Sequence, residues 1–194
     1  MMTGYLVGSV PTGYFVARLR GVNIQQAGSG NIGATNVLRT MGVVPAIAVV
    51  LLDPLKAYLA VSLPVWFGMD PAVVALTGAA VMLGNTYNVF LGFRGGRGVA
   101  TSMGVFMAVN PLVTSLVIVL GVLVIALGRF VSLGSVVGVL SAPLLLTAQG
   151  NFFPPHFALA LFIALLITYR HRDNLRRLAA GNERRLGKQA KEKR

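Results

Sequence analysis

The sequence is 194 residues long, 55% hydrophobic and 11% charged, with a net charge of +12 and no cysteine. Soluble domains carry about 25% charged residues, so this composition excludes an ordinary soluble protein and favours an integral membrane protein. The absence of cysteine excludes disulfides, thiolate nucleophiles and cysteine-ligated metals, and with only His156 and His171 a histidine metal cluster is not expected.

The apolar residues fall into seven segments, at 3–19, 42–67, 71–92, 99–110, 112–128, 131–150 and 155–170. Backbone groups in lipid must be hydrogen-bonded internally, and the alternating pattern of a membrane barrel is missing, so each segment is expected to be a helix. Proline suits a helix start but disrupts a helix interior, so Asn110–Pro111 predicts a break that divides 99–128 into two short helices. The sequence therefore predicts an all-α integral membrane protein with seven transmembrane helices.

The basic residues between these segments indicate the orientation. They are Arg18, Arg20 and Arg39 around the first polar loop, Arg94 and Arg97 in the second, Arg129 in the third, and a cluster at 170–194. The positive-inside rule places all of them in the cytoplasm, so the N-terminus is expected outside and the C-terminus inside. We expect one transmembrane helical domain, residues 1–170, followed by a basic cytoplasmic tail, residues 171–194.

The first polar loop, GSGNIGATNVLR at 28–39, contains three glycines between two apolar runs. Glycines let a ligand approach the backbone, and free backbone N–H groups at a helix start bind anions, so the loop is a candidate phosphate site. Alternatively the loop is a tight turn in which Ser29, Asn31 and Asn36 cap helices. The loop alone leaves both interpretations open.

Two ionisable residues, Asp53 and Lys56, lie inside the second apolar segment. Three positions apart on a helix they can form an ion pair, and Pro54 between them favours a kink or a local break. Ionisable groups in a membrane segment suggest a function by default. They keep open a rival interpretation, a transporter of an anionic phosphorylated metabolite, although a structural ion pair also explains them.

The second polar loop, GFRGGRGVAT at 92–101, places two arginines among glycines. Arginine suits bidentate phosphate contacts, and glycines expose the backbone beside it. A role as a topology anchor explains Arg94 better than Arg97, because Arg97 lies inside the glycine bracket. We therefore favour Arg97 as a phosphate ligand.

The tail holds ten of the seventeen Lys and Arg residues, with only three acids at 170–194. Such a charge fits either nucleic acid or anionic lipid. No nucleic-acid-binding motif accompanies it and it follows an apolar span, so membrane lipids are the expected partner. His171 has an ordinary pKa near neutrality and is a candidate proton carrier.

All these polar motifs lie on one side of the predicted topology, and no internal repeat is visible. Transporters commonly show repeated halves and a binding site at the membrane midplane, so the pattern favours an enzyme at the membrane surface. Three long motifs, GSGNIGATNVLR, GFRGGRGVATSMGV and YRHRDNLRRLAAGNE, resemble those of the bacterial acyl-phosphate:glycerol-3-phosphate acyltransferases. GSVPTGY, LLDPLK and RFVSLGS also resemble segments of that family, and the resemblance covers nearly the whole chain.

The resemblance implies an enzyme of the bacterial inner membrane with seven helices. It would transfer a fatty acyl group from acyl phosphate to the 1-hydroxyl of glycerol 3-phosphate, giving lysophosphatidate and phosphate without a cofactor. Membrane lipids are the other expected partner, nucleic acid is not expected, and nothing in the sequence requires more than a monomer.

The resemblance also implies roles for individual residues. Ser29, Asn31, His171 and Asn174 are implied in catalysis. Gly28, Gly30, Thr35, Asn36, Arg39, Gly95, Gly96, Arg97, Gly98 and Ser132 are implied in substrate binding. Within this set, Ser29 acts at the reacting phosphate and carbonyl, and Arg39 and Arg97 hold glycerol 3-phosphate. Glu183 is expected to be a structural partner of nearby arginines.

Two motifs depart from the family pattern, at three positions. Arg97 stands where lysine is usual, and Asn85 and Asn88 stand where histidine and proline are usual. These departures raise a third interpretation, an inactive scaffold. Because acyl phosphate has a good leaving group, we predict direct attack by the glycerol hydroxyl, with a substrate phosphate rather than His171 accepting the proton.

Overall fold

In the computed structural model of the chain, residues 1–150 and 154–186 are described, and every regular element in these two ranges is helical. The α-helices are α1 (Met2–Gly8), α2 (Thr12–Arg18), α3 (Ala34–Met41), α4 (Val43–Trp66), α5 (Pro71–Thr86), α6 (Val99–Val109), α7 (Pro111–Gly128), α8 (Val131–Ala148), α9 (Pro154–Arg170) and α10 (Arg172–Ala179). One short 3₁₀ helix, Val89–Leu91, follows α5.

Two proline breaks test the predicted segments. The prediction of a single helix at 3–19 was wrong, because this segment is divided at Pro11 into α1 and α2. Proline has no N–H to continue the helical ladder, and its ring crowds the preceding turn. The break at Asn110–Pro111 is confirmed, and the Asn110 side chain accepts a hydrogen bond of 3.0 Å from the Val113 amide.

The helices present an apolar exterior. Four stretches are long and apolar enough to cross a membrane, namely α4, α5 extended to Leu91, α7 and α8, while α6 and α9 are shorter apolar helices. On α4, Leu51 and Leu55 are exposed although Val49 and Ala57 on the opposite face are fully buried. Large apolar side chains all around a packed bundle are typical of contact with lipid.

Glycines let the helices approach closely. A Cβ on Gly104 of α6 would overlap the carbonyl oxygen of Pro54 on α4, and one on Gly134 of α8 would overlap that of Gly121 on α7. Small residues of this kind are how membrane helices pack without a hydrophobic driving force. The pairs α4–α6 and α7–α8 are among the main helix contacts of the bundle.

The predicted ion pair inside the second segment is present. Lys56 Nζ lies 2.8 Å from Asp53 Oδ1, one helical turn away. Pro54 does not end the helix, since α4 continues through it from Val43 to Trp66.

Candidate active site

The polar loops meet at one end of the bundle, where α5 and α9 end and α6 and α8 begin. They surround a cavity of about 700 Å³. All the residues predicted for catalysis or substrate binding line this cavity except Gly30 and Gly95. The structure thus brings together the first loop, the second loop, the start of α8 and the tail, which are far apart in the sequence.

The first loop is shaped by Asn36. Its Oδ1 accepts a hydrogen bond of 2.8 Å from the Ser29 amide, and its Nδ2 donates to the carbonyl oxygens of Ala27 and Asn31 at 3.0 and 2.8 Å. Gly28 lies at φ +63°, and a Cβ there would meet the Asn36 side chain. Both donor hydrogens of Asn36 are therefore used inside the loop, which gives this residue an organising position in the cavity wall.

The alternative interpretation, in which asparagines cap helices, describes part of this loop. Asn31 Oδ1 accepts a hydrogen bond of 2.8 Å from the Gly33 amide. The N-cap of α3 is Gly33 itself, which has no side-chain cap. The first-turn amides of Ala34 and Thr35 consequently have no hydrogen-bond acceptor within residues 1–150 and 154–186.

Four helices begin at the cavity. The first residues of α3, α6, α8 and α10 all contribute to its lining. Helix N-termini carry partial positive charge and unsatisfied N–H groups, so each favours an anion. Their arrangement around one cavity makes it suited to a ligand with more than one negative charge.

Arginine side chains add full positive charge to the same cavity. Arg39, Arg97, Arg170, Arg177 and Arg184 line it, together with the acids Asp53, Asp173 and Glu183. The side chains of Arg39 and Arg97 form no hydrogen bond or ion pair with any part of the chain that the structure describes. Their guanidinium groups are therefore available to a ligand.

Partial burial makes the charge of Arg97 costly without an anion, whereas the Arg39 side chain is exposed. Burial is the main cause that lowers the pKa of Arg97, with Glu183 acting in the opposite direction. Burial also lowers the pKa of Arg39, and the charge of Arg184 adds to this effect. The partly desolvated guanidinium of Arg97 therefore gains free energy when a phosphate binds it.

The second loop is fixed to the end of α5. The Gly95 and Gly96 amides donate to the carbonyl oxygens of Thr86 and Asn85 at 3.2 and 2.9 Å. A Cβ at Gly95 would overlap the Asn85 carbonyl oxygen, so the close approach requires glycine there. These contacts place Arg97 at the cavity.

A second arginine, Arg170, supports this loop from α9. Its guanidinium lies 5.7 Å from the centre of the Tyr87 ring, and its Nη2 lies 3.5 Å from the Gly96 carbonyl oxygen. Arg170 was not among the predicted site residues, although it opens the RHRDN stretch at the end of the last apolar segment.

His171 is buried in the cavity wall. Its Nδ1 lies 2.8 Å from the Ile167 carbonyl oxygen, which only accepts, so Nδ1 carries the proton and Nε2 is left as an acceptor. Burial lowers the pKa of His171 to about 4 despite that hydrogen bond. The ring is therefore neutral at physiological pH and can accept a proton or a hydrogen bond at Nε2.

Glu183 organises the tail more extensively than predicted. It forms the expected ion pair with Arg177 at 3.0 Å, and it also accepts hydrogen bonds from Ser132 and Asn174 at 2.9 and 2.6 Å. Burial alone would raise the pKa of Glu183, but the hydrogen bonds from Asn174, Ser132 and Arg177 outweigh it and hold the pKa below its ordinary value. Ser132, predicted to bind substrate, and Asn174, predicted to act in catalysis, are thus joined to each other through one carboxylate.

The tail continues over the turn between α7 and α8. The Leu186 amide donates a 2.7 Å hydrogen bond to the Arg129 carbonyl oxygen, and the Arg185 guanidinium lies 5.3 Å from the centre of the Phe130 ring. The end of the described chain therefore forms one wall of the cavity.

Comparison with known proteins gives one consistent result. The sequence profile of the family described as glycerol-3-phosphate acyltransferase matches residues 1–181. Proteins named glycerol-3-phosphate acyltransferase from Geobacter sulfurreducens and Thermus thermophilus are each 44% identical to this chain, over 93% and 98% of it and 93% and 95% of their own lengths.

The fold agrees with solved structures of the same kind. The crystal structures of PlsY (YgiH), an integral membrane glycerol 3-phosphate acyltransferase, in its glycerol 3-phosphate and lysophosphatidic acid forms match with TM-scores of 0.91 and 0.88. Both are 41% identical to this chain and cover 95% of it and 92% of their own chains. The chain belongs to the glycerol-3-phosphate acyltransferase family.

Proposed function

We propose that this acyltransferase uses acyl phosphate as its donor and acylates the 1-hydroxyl of glycerol 3-phosphate, releasing lysophosphatidate and phosphate. The observation that carries the proposal is the cavity itself. It combines four helix N-termini with two arginines whose side chains have no hydrogen-bond or ion-pair partner in the described part of the chain, which suits it to two phosphate groups at once. Apolar helices surround it, so a lipid-soluble donor can reach it from the membrane.

Arg39 and Arg97 hold the phosphate of glycerol 3-phosphate in this proposal. The first loop and the start of α3 hold acyl phosphate, and Thr35 and the glycine backbone contribute to that side. The exposed Ser29 hydroxyl donates to the acyl carbonyl oxygen as negative charge develops there. Asn31, His171, Asn174 and Ser132 complete the polar wall around the reacting groups.

The reaction requires one displacement. The glycerol oxygen bonds to the acyl carbon, the bond from that carbon to the phosphate oxygen breaks, and the hydroxyl proton passes to a phosphate oxygen. Within residues 1–150 and 154–186 no side chain is hydrogen-bonded to the Ser29 hydroxyl. This supports direct attack rather than an acyl-serine intermediate, because an attacking serine needs an adjacent base.

His171 provides a test of the proton route. With a neutral ring and an accepting Nε2 it can orient the hydroxyl, and in this proposal it is not the obligatory base. His171→Ala is expected to lower kcat by about 10- to 100-fold without abolishing turnover, which is no more than the lower limit of the roughly 100- to 10,000-fold loss typical of an essential general base. Complete loss of turnover in folded protein would instead assign the proton to His171.

The proposed topology has seven crossings with the N-terminus outside and the C-terminus in the cytoplasm. Six apolar helices span the membrane, and α1 and α2 together supply the first crossing, while α3 and α10 lie at the cytoplasmic surface. The basic loops support this orientation. The transmembrane unit is residues 1–170 and the tail is residues 171–194, of which the described part, 171–186, completes the site at the inner face of the bacterial inner membrane.

The test of donor identity uses purified protein in detergent with long-chain acyl phosphate and glycerol 3-phosphate. Lysophosphatidate and phosphate are measured together, and acyl-CoA is the comparison donor. Formation of both products in equal amounts from acyl phosphate alone is expected, without added metal or cofactor. Product from acyl-CoA alone, or phosphate without lysophosphatidate, would overturn the proposed donor.

A further inference from the structure

One charged group lies deep among the helices and takes no direct part in the proposed reaction. Lys56 Nζ lies 2.7 Å from the Val10 carbonyl oxygen, 2.8 Å from Asp53 Oδ1, 3.3 Å from Asn85 Oδ1 and 3.4 Å from Thr12 Oγ1. The Lys56 and Asp53 side chains are only 11% and 12% exposed. The free energy needed to remove such a pair from water usually exceeds the free energy gained from its electrostatic attraction. Its presence in a membrane segment therefore indicates a function.

The four oxygen atoms around Lys56 come from three different parts of the bundle. Val10 lies at the break between α1 and α2, where the interrupted helix leaves its carbonyl oxygen accessible, and Thr12 begins α2. Thr12 Oγ1 also donates a 2.7 Å hydrogen bond to Asp53 Oδ1. The ammonium group therefore joins the broken first crossing and α4 to the last turn of α5, where Asn85 lies.

Asn85 connects this network to the second loop. Its side-chain oxygen faces Lys56, while its backbone carbonyl accepts the Gly96 amide at 2.9 Å. Its Nδ2 would lie 3.2 Å from a Cβ placed on Gly96. Arg97 is the next residue, so the Asn85 backbone is hydrogen-bonded to the segment that carries this arginine and the Asn85 side chain lies beside that segment.

We propose that Lys56, oriented by Asp53, is a positioning residue that sets the location of Arg97 through Asn85. The inference rests on the proposed function, in which Arg97 holds the phosphate of glycerol 3-phosphate. It assigns Asn85, a departure from the usual family residue, as the link between the buried ion pair and the phosphate-binding loop. It also assigns the intramembrane charges to alignment of the site rather than to movement of a solute.

Kinetics of substituted enzymes separate positioning from general stability. Lys56→Met is expected to raise KM for glycerol 3-phosphate, because Arg97 is displaced, while KM for acyl phosphate stays within about twofold. Displacement of a binding group by about 1 Å can cost roughly 100-fold, so a rise of about 10- to 100-fold is expected. Lys56→Arg, which keeps a charge with different reach, is expected to recover part of this loss.

Two further variants remove the ambiguity of folding. Asp53→Leu/Lys56→Met leaves no unpaired buried charge, so it should fold, and it should still show the raised KM. Asp70→Ala is the matched control, because it removes the cap of α5, a 2.7 Å hydrogen bond to the Ala72 amide, at the helix end remote from Asn85. It should lower the melting temperature without changing the ratio of the two KM values.

A double-mutant cycle tests the route through Asn85. If Lys56 acts through it, Asn85→Leu and Lys56→Met raise KM for glycerol 3-phosphate to similar extents, and the combination adds little. Multiplied effects in the combination would overturn the proposal. Equal rises in both KM values for Lys56→Met would also overturn it. So would a wild-type KM for glycerol 3-phosphate in Asp53→Leu/Lys56→Met.

A structural readout remains informative even if acyl phosphate is not the donor. The chain has no cysteine, so Arg94→Cys gives a single spin-label site on the exposed part of the second loop. Lys56→Met should increase the mobility of that label, and Asp70→Ala should not. Unchanged mobility in Lys56→Met would overturn the inference, whereas absence of turnover in the unsubstituted enzyme would overturn only the donor assignment.

Discussion

At the scale of single residues, some polar groups of the cavity are hydrogen-bonded within the protein and others are left available to a ligand. Asn36 and Glu183 use their hydrogen bonds within the protein, whereas the side chains of Arg39 and Arg97 have no hydrogen-bond or ion-pair partner in the described ranges 1–150 and 154–186. The sequence motif contains both kinds without distinction. The difference follows from burial and hydrogen-bond capacity, which only the folded arrangement reveals.

The protonation state of His171 gives a first prediction. Its pKa near 4 means that the ring should remain neutral, with the proton on Nδ1, between about pH 5 and pH 8. Nitrogen-15 NMR of histidine-labelled protein carrying His156→Gln would show this directly. A ring that titrates near its ordinary value of 6.5 would contradict the buried environment.

The same shift has a consequence for stability. Between the ordinary value of 6.5 and about 4, the unfolded state binds more protons than the folded state. His171 therefore contributes stability that is complete above pH 6.5 and is lost as the pH falls through this window. Melting curves of the wild type should decline more steeply with acidification than those of His171→Gln.

Arg97, which stands where the family usually has lysine, gives a second prediction. Arg97→Gln should raise KM for glycerol 3-phosphate by about 10- to 100-fold, the effect of losing hydrogen bonds to a charged group worth about 1.5–3 kcal/mol. Arg97→Lys keeps the charge and should cost less. Arg94→Gln, on the exposed part of the loop, is the control and should leave KM unchanged; equal losses at both positions would show that only net charge matters.

At the scale of helices, close glycine contacts set how the elements meet. Gly104→Ala places a methyl group against the Pro54 carbonyl, which is backbone and cannot turn away. Overpacking of this kind costs about 1–3 kcal/mol, so the melting temperature in detergent should fall. At Gly128 a Cβ would meet the Phe130 ring at an ordinary 3.6 Å, so Gly128→Ala should have little effect. Equal destabilisation by both changes would argue against the α4–α6 contact.

Most helices could be predicted because their signals are local. Apolar length marks the spans, and Pro111 with Asn110 marks the α6–α7 break. The break at Pro11 was missed because a break in the helix needs a tertiary partner for the exposed backbone carbonyl, and the local sequence does not show that partner. That partner is Lys56, far along the sequence, which donates a hydrogen bond to the Val10 carbonyl oxygen. Likewise, the motifs predicted which segments form the site, but the partners of Glu183 depend on tertiary contacts.

At the scale of the whole molecule, the predicted side of the membrane connects the site to its substrates. Glycerol 3-phosphate is water-soluble, so the polar end of the bundle must open to the cytoplasm if cytoplasmic substrate is used. The lipid-soluble donor and the lysophosphatidate product can exchange between the cavity and the surrounding bilayer. An interfacial position of the site is therefore part of the proposed chemistry.

Single cysteines test this arrangement, because the natural chain contains none. Met69→Cys, between α4 and α5, should react with a membrane-impermeant maleimide in intact spheroplasts. Ala180→Cys, in the tail beside the cavity, should react only after the membrane is opened. The reverse pattern would invert the proposed orientation, and labelling of both from outside would contradict an odd number of crossings.

The four helix N-termini around the cavity have a consequence for the end of the catalytic cycle. A site that attracts the phosphate groups of two substrates also attracts the inorganic phosphate that the reaction leaves behind. We expect phosphate to inhibit competitively as it accumulates, because it occupies the same helix N-termini as the phosphate groups of the substrates. Lipid synthesis in the membrane would then slow in response to the phosphate content of the cell, without any separate regulatory site.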